Sequence, residues 1–234
     1  MSVPFHGPGT RSLNVLGALL LALIAGGCAG EGGEMLLNPG SDRAHVVPDW
    51  DERVPRRIAV LPVLNQTLDL DAPGVFRPIV YQNVLEKGYA APSPEQIDEE
   101  LLTMDIREAG QINSLTPQEL GELLDVDGLL YTTVLDWSTS YLGVYASITV
   151  AARYELVEAS TGVRLWVDED EAKEVMVANV FDRRRLAEEA AKVAAYAALR
   201  AYTPFAERVT RDCFKTLPYA RTPSATPYPL EESP

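Results

Sequence analysis

Residues 144–157 alternate with a period of two. Val144, Ala146, Ile148, Val150, Ala152, Tyr154 and Leu156 share one face, and Ser147, Thr149, Arg153 and Glu155 share the other. A helix repeats about every 3.6 residues, so this pattern belongs to a strand with one side buried and one side wet. The stretch from Gly128 to Trp137 is rich in leucine, tyrosine, threonine and valine, and Gly143 lies between it and the alternating run. Ser160-Thr161-Gly162 forms the next turn, followed by Val163 to Val167 and a further short apolar stretch at Val175 to Val177. Strands joined by tight turns make an antiparallel three-strand meander.

The first half reads differently. Ile58 to Leu64 is apolar on both faces, which suits a buried central strand ending near Pro62. Asn65 to Gly74 is a turn-rich loop. Val75 to Lys87 reads as a helix capped by Gly88, with a short strand at Tyr89-Ala90-Ala91. Ser93-Pro94-Glu95-Gln96 and Thr116-Pro117-Gln118-Glu119 each carry a capping residue, proline at the first helical position and a reciprocal partner three residues on. Leu115 and Leu120 flank the second at hydrophobic-staple spacing. Phe181 to Tyr202 reads as the longest helix, with Leu186, Ala190, Val193, Ala197 and Ala201 as its apolar stripe. The expected fold is α/β (mixed α+β): a single three-layer-like domain over 51–203. Its mixed sheet has a parallel start and an antiparallel meander, with helices packed on it. Residues 204–234 read as an irregular proline-rich tail, and no internal repeat is visible.

The amino terminus speaks to compartment. Arg11 is followed by an apolar run from Leu13 to Ile24 and then by Ala25-Gly26-Gly27-Cys28. A charged start, a short apolar core and small residues before the cut describe a secretory signal. The run is shorter than the roughly 20 residues of a membrane span. The cysteine after small residues resembles the bacterial lipobox, although Ala25 stands where leucine is commonest. That resemblance implies a signal peptide over 1–28, with Cys28 acylated and holding the chain to membrane lipid. Residues 29–50 read as a flexible tether with a root-mean-square span of about 25 Å. A net charge of −14 disfavours nucleic acid and anionic headgroups, so anchoring falls to the lipid.

Few residues offer chemistry. Past Cys28 there is one histidine, His45, in the tether, and one cysteine, Cys213. That removes most Ser-His and Cys-His nucleophile schemes, ordinary zinc sites and, with Cys28 lipidated, any intrachain disulfide. No phosphate-binding glycine loop follows the first strand. No catalytic residue, metal site or cofactor is expected. Paired-carboxylate hydrolysis of cell wall is an alternative that composition allows. The run Asp168-Glu169-Asp170-Glu171 reads as a solvated loop or edge-strand protection rather than a catalytic pair.

The loop after the first strand, with Asn65, Asp69 and Asp71, is where an α/β fold could bind a small ligand. The plainer reading is a turn with solvated acids. Arg183, Arg184 and Arg185 oppose the macrodipole at a helix start. Pairs with Glu188 and Glu189 could compensate, and docking of an anionic partner is the functional alternative. Trp137, Tyr141 and Tyr145 lie in or beside the meander, where an exposed subset would mark a protein interface. Self-association through a sheet edge or the alanine-rich helix is open, with no number of subunits fixed.

Four stretches carry a family resemblance: "IAVLPVLNQTLDLDAP", "EKGYAAPSP", "LTPQELGELLDVDGLLYTTVLDWSTSY" and "YELVEASTGVRLW". With Cys28, and in this order, they resemble the bacterial envelope lipoproteins of unknown function typified by a neisserial genome-derived antigen. The resemblance implies an α/β domain similar to the amino-terminal domain of TolB and to curli-secretion-type lipoproteins. It implies outer-membrane anchoring, with which Ala29 agrees, a periplasmic setting, other envelope proteins as partners and no known enzymatic activity.

Overall fold

Three long antiparallel strands form the spine: β4 (Gly128–Tyr141), β5 (Tyr145–Glu158) and β6 (Arg164–Val177), each of 14 residues. The computed structural model describes residues 44–181, 184–199 and 201–220. A parallel start joins the spine, as β2 (Ile58–Val60) and β3 (Leu64–Asn65) both pair parallel with β4. β1 (His45–Val46) pairs antiparallel with β6 at the far side, giving the order β1-β6-β5-β4-β2. The mixed α/β sheet with its meander is the expected architecture. The strand expected at residues 89–91 is only a single parallel bridge between Arg57 and Ala90.

Helices cover the sheet from both sides. α2 (Ala72–Glu86) lays Phe76, Val80 and Val84 into the larger core beside Trp137, Tyr154 and Trp166. α3 (Pro94–Thr103) and α4 (Pro117–Leu124) bring Ile97, Leu101, Leu120 and Leu124 against Leu129 in a second core. Both helices start on complete capping boxes, at Ser93 with Gln96 and at Thr116 with Glu119, as their sequences require. Leu115 packs with Leu120 in that core.

Other expectations need correction. The tether reading extended to residue 50, but β1 adds to the β6 edge and α1 (Trp50–Arg53) buries Trp50 in the core. The tail reading began at residue 204, but α6 (Thr203–Phe214) stands there. Pro204 occupies the first turn of α6, where its missing N–H costs nothing. Phe205, Val209 and Cys213 then recur every four residues on the buried face, beside Ala206 and Phe214. The helix expected over 181–202 is shorter, α5 (Leu186–Leu199), and of its stripe only Val193 is fully buried. On β5, Ser147 and Thr149 are buried although they lie on the expected wet side. β5 is the strand between β4 and β6, and the two residues lie in register with Ser140 and Ser138 on one side and Val175 and Lys173 on the other.

The acidic run 168–171 is also not a loop. It lies within β6, so its residues alternate across the sheet. Asp168 and Asp170 turn inward and are buried, while Glu169 and Glu171 face the other way.

Candidate functional site

The loop between β3 and α2 is built by its polar side chains. Asn65 Oδ1 accepts from the Thr67 amide at 3.0 Å and from the Thr67 hydroxyl at 2.8 Å, while Asn65 Nδ2 donates to the Asp69 carbonyl at 2.7 Å. The Asp71 amide donates to Asp69 Oδ1 at 3.0 Å. Asn65 and Asp69 therefore act as scaffold, and Asp71 stands at the start of α2 without a side-chain cap. What the loop presents instead is apolar: Leu68 is 101% exposed and Leu70 is 89% exposed. An ordinary surface loop does the reverse. Sequence reasoning singled out the three polar residues and passed over the two leucines. The alternation of turn-forming and apolar residues from Asn65 to Asp71 was the available signal.

Beside this loop, at the carboxyl end of β2, lies a cavity of about 830 Å³. Its apolar lining comes from Pro62, Val63 and Leu64 of the β2–β3 segment, Leu70 of the loop, and Pro73, Pro78 and Tyr81 of α2, with Asn65, Arg77, Gln82 and Ser93 among them. Glu95, Asp98 and Glu108 supply negative charge around it. Arg77 fixes the geometry. Its Nη1 donates to the Asp98 carboxylate at 2.7 Å, and its Nη2 reaches the Pro94 carbonyl at 3.3 Å. The guanidinium thus ties α2 to the start of α3.

The polar groups of the cavity already have structural work. The Ser93 hydroxyl accepts from the Gln96 amide as the α3 cap, and Asp98 is held by Arg77. Glu95 is drawn below the usual carboxylate range, first by backbone hydrogen bonding and then by Ser93. This arrangement can bind, but it shows no nucleophile aligned with a base. Among the described residues, no three His, Cys, Asp or Glu side chains gather as a metal site. No helix among them is long and apolar enough to cross a membrane.

The other sequence candidates are scattered. Trp137 is a core residue rather than a docking residue. Its ring lies 4.7 Å from Tyr202 and 5.6 Å from Phe76, because the bulge between Val134 and Asp136 turns it inward. Tyr141 is about half exposed at the end of β4, and Tyr145 is partly buried where β5 begins. Arg184 and Arg185 are exposed in the turn before α5, while Arg183 and Cys28 lie outside the described residues.

Asp168 and Asp170, the inward acids, do not line the cavity. They sit beneath α6, where the Thr216 hydroxyl donates to Asp168 at 2.7 Å. Burial first, and then the neighbouring acids Asp168, Asp170 and Asp212, push the Cys213 thiol far above its ordinary range, which makes it an inert core group.

Comparison with known proteins bears on the same segments. The family model described as "Putative lipoprotein GNA1162-like" matches residues 48–191, which include the loop, the cavity and the three long strands but not α6. A lipoprotein of Neisseria meningitidis serogroup B, NMB1124/NMB1162, is 28% identical over 124 residues, or 51% of this chain. That match spans only 58% of the relative's own length. The crystal structure of lipoprotein GNA1162 from Neisseria meningitidis is similar with a TM-score of 0.48 and 25% identity, over 62% of this chain and 99% of that one. The PelC dodecamer from Paraburkholderia phytofirmans gives a TM-score of 0.41 and 15% identity, over 77% of this chain and 97% of that one.

Proposed function

The chain belongs to the GNA1162-like lipoprotein family, and from that premise we propose that it is a lipid-anchored, non-enzymatic adaptor or accessory component of a bacterial envelope assembly, such as a transport or secretion complex. Cys28 takes the lipid, after removal of the preceding signal. The domain stands on the outer membrane, facing the periplasm. Two or more acyl chains would make that attachment effectively permanent, since each buried methylene contributes about 0.8 kcal/mol.

One observation carries the adaptor reading. The loop after β3 spends Asn65, Thr67 and Asp69 on its own hydrogen bonds and holds Leu68 and Leu70 in water. Leucines on a braced loop are a protein-contact surface, because burying them is favourable and the loop needs little ordering to do so. The adjoining cavity shares this surface, since Leu70 is one of its walls. A cell-wall hydrolase would need two acids converging on one point, and Asp69 of this loop is instead spent on the Asp71 amide.

The test is affinity capture of the tagged protein from membranes, read by mass spectrometry, beside a Cys28→Ala control. The expected result is a defined set of envelope proteins, weakened or lost without the cysteine. Recovery of the bait alone, with both forms behaving alike, overturns both the anchor and the adaptor role.

A further inference from the structure

The cavity beside Leu68 and Leu70 has a charge as well as a shape. Residues of α2, the first turn of α3 and the start of the 3-10 helix Ala109–Ser114 line it together. Four charged side chains stand among them: Arg77, Glu95, Asp98 and Glu108. Arg77 is the one cation, and it is already engaged. Its side chain is only 14% exposed, it meets the Asp98 carboxylate at 2.7 Å, and it reaches the Val60 carbonyl at 3.4 Å. That pair is neutral, which leaves the lining with the two negative charges of Glu95 and Glu108.

Both glutamates are exposed, and among the described residues neither stands in an ion pair. Arg107, beside Glu108 in the chain, is turned to Asp105 instead. The Glu108 carboxylate accepts from the Gln111 amide, and Glu95 is held ionised by backbone hydrogen bonding and by Ser93. A carboxylate offers about four acceptor sites, so each keeps sites open toward a cation. The wider surface adds to the same attraction, since the chain carries a net charge of −14.

We infer that the partner of this surface presents an apolar anchor side chain flanked by lysine or arginine: the anchor seats in the Leu70-walled cavity, and the cation meets Glu95 and Glu108. The inference rests on reading the loop as a protein-contact surface, and it names the chemistry of the segment that docks there. An anchor in a pocket supplies most of the energy of such a contact, and covering Leu70 adds to it. The rim charges then select among apolar segments. An acidic segment is repelled. A neutral one fills the cavity but strips water from two carboxylates without replacing it.

The test pans a displayed library of random short peptides against the full-length protein in non-ionic detergent micelles. Enriched peptides should carry an apolar residue close to lysine or arginine, well above the frequency in the starting library. The strongest is synthesised beside a copy with glutamine in place of each basic residue, and both are titrated by fluorescence anisotropy. Wild type should bind the basic peptide about fivefold more tightly, as two exposed ion pairs allow. In the double variant Glu95→Gln with Glu108→Gln that preference should vanish, while binding of the glutamine peptide is kept. Glu122→Gln, on α4 and outside the cavity lining, should retain the preference, which separates the rim from the overall charge. Gly74 also lines the cavity, and a Cβ there would meet nothing within 4 Å. Gly74→Leu therefore narrows the cavity without displacing a neighbour, and it should weaken both peptides alike. No enrichment, an enriched set without basic residues, or a preference that survives the double variant overturns the inference. If that happens while affinity capture still returns envelope proteins, the partner chemistry fails and the adaptor reading stands.

Discussion

The Thr216 hydroxyl donates to Asp168 Oδ2 at 2.7 Å, on a carboxylate fully removed from solvent. The same hydroxyl accepts from Trp166 Nε1 at 2.9 Å, so one side chain just past α6 satisfies two groups of β6. The Asp168 carboxylate also accepts from the Glu169 amide at 2.8 Å. Thr216→Val keeps the shape and removes the donor to a buried charge. The expected cost is about 1–3 kcal/mol, measured by urea unfolding.

The same substitution should have the opposite sign on β4. Thr132 is buried opposite Tyr154, and its hydroxyl has no hydrogen-bond partner. Thr132→Val exchanges an orphaned hydroxyl for a methyl of similar size. It should be neutral or stabilising by up to about 1 kcal/mol. Urea midpoints of the two variants, measured side by side, should put Thr216→Val below wild type and Thr132→Val at or above it. A Thr132→Val that costs as much as Thr216→Val would mean the hydroxyl is satisfied after all.

Asp170 makes stability depend on pH. Burial is the main cause that pushes its carboxyl above the usual range; Asp212 and Asp168 add to it, and the Glu171 amide and Arg208 oppose it. The folded state therefore holds this proton to a higher pH than the unfolded chain does. Between the two values the folded state binds more protons, so this group lowers stability as pH rises through its folded value. Asp170→Asn removes the ionisation. The variant should exceed wild type in stability at about pH 8, and the margin should shrink toward about pH 4, near the ordinary aspartate range. Denaturant unfolding across that range reads it directly. A constant margin would assign the effect to packing alone.

What could be read from the chain divides by range of interaction. The capping boxes at Ser93 and Thr116 are complete within four residues, and both stand as written. The alternation of β5 is likewise local, and it set the meander. The errors all needed a distant partner. Asp168 and Asp170 look like surface acids until α6 is known to lie over them, and α6 itself was hidden because Pro204 reads equally as a stop or a start. β1 is two residues long, too short for any period to show. At the candidate site, Asn65, Asp69 and Asp71 were legible as a loop after the first strand. Their role as scaffold, and the exposure of Leu68 and Leu70, emerge only from the direction each side chain takes.

Trp137 and Tyr141 separate core from surface on one strand. Trp137 is 6% exposed within the Phe76 and Tyr202 rings, whereas Tyr141 is 48% exposed. Trp137→Ala should cost about 3–5 kcal/mol through lost burial and the cavity it leaves. Tyr141→Ala should stay within about 0.5 kcal/mol of wild type. Thermal melting of both variants is sufficient. Equal losses would place Tyr141 in the folded core and remove it from the partner-facing surface.

Gly121 sits within α4, where alanine would ordinarily improve the helix by about 1 kcal/mol. Here a Cβ at position 121 would lie 2.5 Å from the Ala159 Cβ and 3.1 Å from the Val126 carbonyl oxygen. Ala159 cannot retreat easily, because its amide donates to the Asp127 carbonyl at 3.0 Å and fixes the end of β5 against the start of β4. Overpacking of this kind costs about 1–3 kcal/mol, so the clash outweighs the helix propensity. Gly121→Ala should therefore destabilise the protein. Adding Ala159→Gly should recover most of the loss, although Ala159→Gly alone gains nothing. A double-mutant cycle measures that coupling. Additive effects would show that α4 shifts away from the hairpin turn instead of pressing on it, and would leave Gly121 without a packing role.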